Sequence, residues 1–188
     1  SHTAGRIGIY HLRHGNLPEA ERYMLQSLRC AQRTGDQYYL ARSLSFLAEL
    51  RATQGRFAEA DSLIARSIGH SKATGNPNDE FIRIVNLAEL EVSLGEYSHA
   101  TGIIERALLM AGESLAQAPT REHVLRRNAI AHYVAKCLML RGTIELARKE
   151  YPASIATIER ALETCRGLID RGFEANLKKK LGDAYAEA

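Results

Sequence analysis

The chain has 188 residues, 45% of them hydrophobic and 25% charged, with a formal net charge of +3. That balance suits a soluble globular protein and excludes a disordered chain, which would carry too little apolar surface to build a core. No run approaches the ~20 consecutive apolar residues of a membrane span, and Ser1-His2-Thr3-Ala4 does not read as a secretory leader.

In chain order, apolar residues first recur at helical spacing around Ile7-Gly8 and stop at Gly15-Asn16-Leu17-Pro18-Glu19-Ala20. A second amphipathic segment follows, with Met24, Ser27 and Leu28 on one stripe, and closes near Arg33-Thr34-Gly35-Asp36. The same pair then returns. Leu47-Ala48 precedes Gly55-Arg56-Phe57-Ala58-Glu59-Ala60, the stripe is Ile64, Ser67 and Ile68, and the junction is Ala73-Thr74-Gly75-Asn76. In a third copy, Leu87-Ala88 precedes Gly95-Glu96-Tyr97-Ser98-His99-Ala100, with Ile104, Ala107 and Leu108 beyond. The Gly opening each block suits the left-handed turn where one helix stops. The small residues at 8, 48 and 88, and the alanines at 20, 60 and 100, predict close approach of neighbouring helices.

A fourth copy is shifted. Gly142, Tyr151, Ser154, Ile158, Ala161 and Leu162 take the small, aromatic, Ala and stripe positions. Lys149 stands where the turn Gly is expected, so this turn is predicted to close differently. A fifth copy begins at Leu181-Gly182-Asp183-Ala184-Tyr185. The small positions are therefore spaced by 40, 40, 54 and 40 residues. The extra residues fall around Gly112 to Ala135, where a prolonged helix pair with a loop near Ala116–Thr120 is expected. Pro119 and Thr120 would mark a helix start there. The predicted units lie near 1–35, 36–75, 76–118, 119–170 and 171–188, in one repeat domain. Starting and ending within first helices, the chain is expected to be part of a longer protein. Leu177, Leu181 and Tyr185 form a stripe expected to cap the fourth unit.

A fixed period of this kind marks stacked helix pairs. The series small–Gly–aromatic–Ala–Ala/Ser-Leu resembles the tetratricopeptide repeat family over nearly the whole chain. The resemblance implies an all-α solenoid, a right-handed superhelical array of antiparallel helix pairs with about four and a half units. It also implies a non-catalytic role in binding a protein or peptide segment. Two departures are visible: the family's early Trp is absent, and its first-helix Tyr survives only as Tyr185, with His11, Arg51, Glu91 and Glu145 at the other copies. The 40-residue unit exceeds the usual ~34, which predicts helices of roughly 18 residues. The long unit with its Thr-Gly-Asp/Asn junction is similar to the sensor arrays of LuxR-type bacterial regulators of the maltose-activator kind. Kinesin light chains also have long units.

In such an array the first helices line the concave face. By phase, that wall is expected to carry Arg13 from the first unit, and Arg42, Ser45 and Glu49 from the second. Ile82, Val85 and Glu89 follow from the third, Lys136, Met139 and Thr143 from the fourth, and Asn176, Lys179 and Asp183 from the fifth. Apolar surface beside charge is what a peptide groove needs. The equally weighted alternative is that residues such as Ile82 and Val85 pack under the next unit. Co-chaperones of the family hold a C-terminal carboxylate with Lys and Asn at fixed inner positions. The corresponding pairs here, such as Ser45/Glu49 and Val85/Glu89, lack both, and the acids would repel an anionic tail.

Residues 76–105 hold Asp79, Glu80, Glu89, Glu91, Glu96 and Glu105 against Arg83, whereas residues 119–150 are net basic and Lys178-Lys179-Lys180 forms a further basic cluster. A solvated surface explains most such unevenness; guidance of an acidic partner or self-association is the functional alternative. No aromatic-rich basic stripe accompanies the arginines, so direct nucleic-acid binding is not expected. Nor are a membrane or a cofactor.

No phosphate loop, dinucleotide fingerprint or His-Glu-x-x-His is present, and no Cys/His cluster has zinc spacing. His123 and His132 are nine residues apart, half a turn out of register on a helix. His11 and His14 share a face but make a poor metal site alone. Cys30, Cys137 and Cys165 are scattered and odd in number, which fits reduced thiols in a cytoplasmic setting. The leading expectation is a peptide- or protein-binding module. The alternative is an effector-sensing domain of a LuxR-type transcription regulator that binds a small molecule or inhibitory protein.

Overall fold

The computed structural model describes residues 2–116, 124–167 and 171–188. Among them are nine helices and no strand: α1 His2–Arg13, α2 Leu17–Thr34, α3 Gln37–Thr53, α4 Phe57–Ala73, α5 Pro77–Leu94, α6 Tyr97–Ala116, α7 Val124–Ala147, α8 Tyr151–Thr164 and α9 Arg171–Glu187. The architecture is all-α, a helical repeat of the solenoid class. Helices α2 to α6 run 17 to 20 residues, as the long period predicts. The loop expected near Ala116–Thr120, with Pro119, Thr120 and His123, falls mostly outside the described residues.

The turns explain the period. Gly15, Gly55 and Gly95 adopt φ of 73°, 73° and 79°, a left-handed conformation in which a Cβ is strained. Lys149 adopts φ 63°. The expectation of a different closure is therefore wrong: the fourth turn closes like the others, with a lysine bearing the strain. Between pairs, the Thr-Gly-Asp/Asn junction uses each residue. Thr74 Oγ1 shares its one proton between Ser71 O at 2.7 Å and Asp79 Oδ2 at 3.0 Å. Gly35 and Gly75 turn the chain at φ 67° and 68°. Asp36 then caps α3 by accepting from Tyr39 N at 3.1 Å.

The chain divides into two compact units, Ser1–Leu90 and Glu91–Ala188. In the first, α1 pairs with α2 and α3 with α4, α2 packs on α3, and α1 lies beside α3. In the second, α7 pairs with α8, α6 packs on α7, α8 packs on α9, and α7 lies beside α9. The predicted small positions sit at these contacts. A Cβ on Gly8 would stand 2.7 Å from Met24 Cγ and 3.2 Å from Ala20 O; on Gly142 it would stand 2.6 Å from Ile158 Cγ1. Ala20, Ala60, Ala100 and Ser154 are all fully buried, as are Met24, Ile104 and Ile158.

Two features were not anticipated. In the first unit, buried hydroxyls pair across helices: Ser27 with Ser43 at 2.8 Å, and Ser45 with Ser67 at 2.9 Å. In α9, Leu177 and Ala184 are buried while Tyr185 is 56% exposed, so the expected Leu177–Leu181–Tyr185 stripe is rotated. Gly182 has no neighbour against its missing Cβ. No second helix pairs with this copy among the described residues, so its small position packs on nothing.

Two outcomes are expected. Ala100→Arg should abolish cooperative unfolding of the second unit in circular dichroism melts, because a guanidinium cannot fit at a fully buried helix contact. Lys149→Gly should stabilise the chain by ~1 kcal/mol, raising Tm by about 2–4 °C, by relieving the left-handed strain.

Candidate binding faces

The first-helix residues expected to line a groove divide by exposure. Arg13, Glu49, Glu89, Asn176, Lys179 and Asp183 are exposed, and Arg42, Ile82, Lys136 and Thr143 are partly so. Ser45, Val85 and Met139 are buried and offer nothing to a partner, a correction to the expected wall. All three occupy one repeat position. Ser45 turns toward α4 and bonds Ser67; Met139 Sδ accepts from Asn176 Nδ2 of α9 at 3.6 Å. The open stripe lies one residue further round, which brings in Tyr38 and Phe46 of α3.

That stripe of α3 holds Tyr38, Arg42, Phe46 and Glu49. Arg42 Nη1 donates to Tyr38 Oη at 3.4 Å, and its guanidinium lies 5.3 Å from the Phe46 ring centroid. Such contacts hold the charge over an apolar surface. In the second unit the comparable face joins α7 and α9, with His132 packed on Phe173 at 4.8 Å between ring centroids.

A second kind of surface lies where a first helix meets the preceding second helix. In the first unit a cleft of about 460 Å³ is lined by Leu25, Leu28, Leu47, Leu63, Arg51, Glu59 and Arg66. Arg51 occupies the repeat position that resembles the family's Tyr. Its side chain is only 12% exposed, and it pairs with Glu21 at 2.6 Å and with Glu59 at 3.5 Å. The Arg51 hydrogen bond holds the Glu21 carboxyl below its ordinary pKa of 4.5. At the same position His11 stacks on Tyr23, Glu91 meets His99 Nδ1 at 3.3 Å, and Tyr185 donates to Glu159 at 3.1 Å. In the second unit a cleft of about 310 Å³ involves Glu145 of the same series.

The expected His11–His14 face is taken up by rings: His14 Nδ1 lies 2.8 Å from Tyr10 O, and its ring packs on Tyr10. Among the described residues no three His, Cys, Asp or Glu side chains converge as for a metal. Cys137 is buried, and desolvation pushes its thiol up to about 12. No described helix is long and apolar enough to cross a membrane.

Residues 1–73 match the family model for the tetratricopeptide repeat. Over those residues the chain is similar to that family. Such repeats generally mediate contacts between proteins and are generally not catalytic. The crystal structure of BtubC (BKLC) from P. vanneervenii is similar at 19% identity over 91% of this chain and 82% of that chain, with a TM-score of 0.47. No curated protein matches the sequence.

The depressed Glu21 pKa sets a pH dependence. Its stabilisation is complete above the unfolded value of 4.5 and is lost as pH falls through the lower folded value. Titrating from about pH 6 to about pH 3, wild-type chain should lose more stability in urea melts than Glu21→Gln, which has no such proton to take up.

Proposed function

We propose that the chain is a non-catalytic module that binds a protein or peptide segment across the exposed side of its first helices. The stripe Tyr38, Arg42, Phe46 and Glu49 on α3 carries this reading. Aromatic and guanidinium groups dominate the energetics of protein interfaces, and here they are held in place before any partner arrives. Glu49 and Glu89 on neighbouring copies favour a segment with basic or neutral residues over an anionic tail.

A second reading, effector sensing, is favoured by one observation: the charged cleft of the second unit is sized for a small molecule rather than a peptide. The effector-sensing role in a LuxR-type regulator belongs to this reading. A screen of small metabolites by thermal shift tests it directly, since a stabilising compound supports it and a uniformly flat screen removes it.

The peptide reading is tested by selecting peptides from a random display library on the immobilised chain. Arg42→Ala and Glu49→Ala should each weaken the selected peptide about tenfold or more while leaving Tm unchanged. Unaltered Kd in both variants would place the binding surface elsewhere.

A further inference from the structure

We propose that the cleft between α6 and α7 binds a small basic amino acid, with Glu145 receiving an ammonium group and Arg148 the carboxylate. This inference deepens the effector reading, on which it rests, and is independent of the first-helix face.

The starting point is an unsatisfied atom. Glu145 Oε2 is covered from solvent and accepts no hydrogen bond among the described residues. Leaving a buried carboxylate oxygen without a donor costs at least ~1–3 kcal/mol, so it requires a physical reason. The repeat itself shows what satisfaction looks like. At the equivalent position Arg51 is met by Glu21 and Glu59, and Glu91 by His99. The counterparts of Glu21 and Glu59 beside Glu145 are Thr101 and Ala153, neither of which is charged. The Thr101 hydroxyl is already spent on Tyr97 O at 2.7 Å. This copy has kept an ion and lost its internal counterions.

The nearby guanidiniums do not replace them. Arg141 faces Glu105 at 3.6 Å, and Arg148 makes no ion pair among the described residues. Arg141 and Glu145 stand four apart on α7, and Arg148 lies in the turn just after it, so opposite charges line one cleft. The cleft differs from its first-unit counterpart in kind. Leu25 and Leu47 there become Glu105 and Arg141 here, so an apolar floor has turned charged, while Ile104 and Ile144 remain as a buried apolar wall. Its lining holds three carboxylates, Glu105, Glu145 and Glu150, against two guanidiniums. A ligand with two ammonium groups, one carboxylate and a methylene chain complements that set in charge and in apolar surface. About 310 Å³ lies at the small end of ligand pockets, which fits a single amino acid.

L-lysine is the probe, titrated calorimetrically into the full chain alongside cadaverine, which lacks the carboxylate, and hexanoate, which lacks both ammonium groups. L-lysine should bind and raise Tm, cadaverine should bind about tenfold more weakly, and hexanoate should give no heat. Glu145→Gln, a near-isosteric change, should abolish L-lysine binding, and Arg148→Gln, at an exposed site, should weaken it about tenfold. No L-lysine heat up to about 10 mM, hexanoate binding as well as L-lysine, or unchanged affinity in both variants would each overturn the assignment. If a different metabolite stabilises the chain while L-lysine does not, this assignment fails and the effector reading stands; if nothing small binds, both fail.

Discussion

Close contact between helices governs this fold, and it requires side chains of almost no size. At Gly8 and Gly142 even one added methyl would overlap the facing helix, and at Ala20, Ala60, Ala100 and Ser154 no solvent reaches the contact. The larger stripe residues, Met24, Ile104 and Ile158, then fill the space on either side of the near-touching backbones. Each helix pair is thereby fixed in spacing, and among the surfaces left over are the exposed side of α3 and the clefts beside α3 and α7.

The elements were legible because their signals are steric and local. A glycine before α2, α4 and α6 and a Thr-Gly-Asp/Asn before α3 and α5 are punctuation that the backbone needs, and positive φ values fall on all five glycines. Lys149 shows the limit of reading by residue type. Surrounding packing imposes the turn, and a lysine accepts a conformation its own preference disfavours. The glycine rule describes preference, whereas the repeat supplies the constraint.

The binding faces were less legible. One residue of rotation separates Ser45 from Phe46, and a helix period cannot resolve that difference when serine is as compatible with a core as with a surface. Its hydroxyl became buried because a second serine, Ser67, stood ready to pair with it. The clefts were hidden for another reason. They are formed by side chains that only packing brings together, from α2, α3 and α4 in one cleft and from α6, α7 and the turn after α7 in the other. The clue was nonetheless present as a series of unlike residues, His11, Arg51, Glu91, Glu145 and Tyr185, at a position where the resemblance calls for tyrosine. Its meaning emerges only when each residue's neighbours are compared, since Arg51 is surrounded by acids and Glu145 by none of the matching bases.

The paired serine hydroxyls of residues 2–90 carry a mechanical consequence. Ser27 and Ser67 grip α3 from two sides through Ser43 and Ser45, so twisting or sliding that helix breaks directional bonds in a dry interior. The counterparts of Ser27 and Ser67 farther along are Ala107 and Ala161, where a small slide exchanges one set of dispersion contacts for another. Directional bonds thus lock the early helices at a position where the later ones meet through alanine alone.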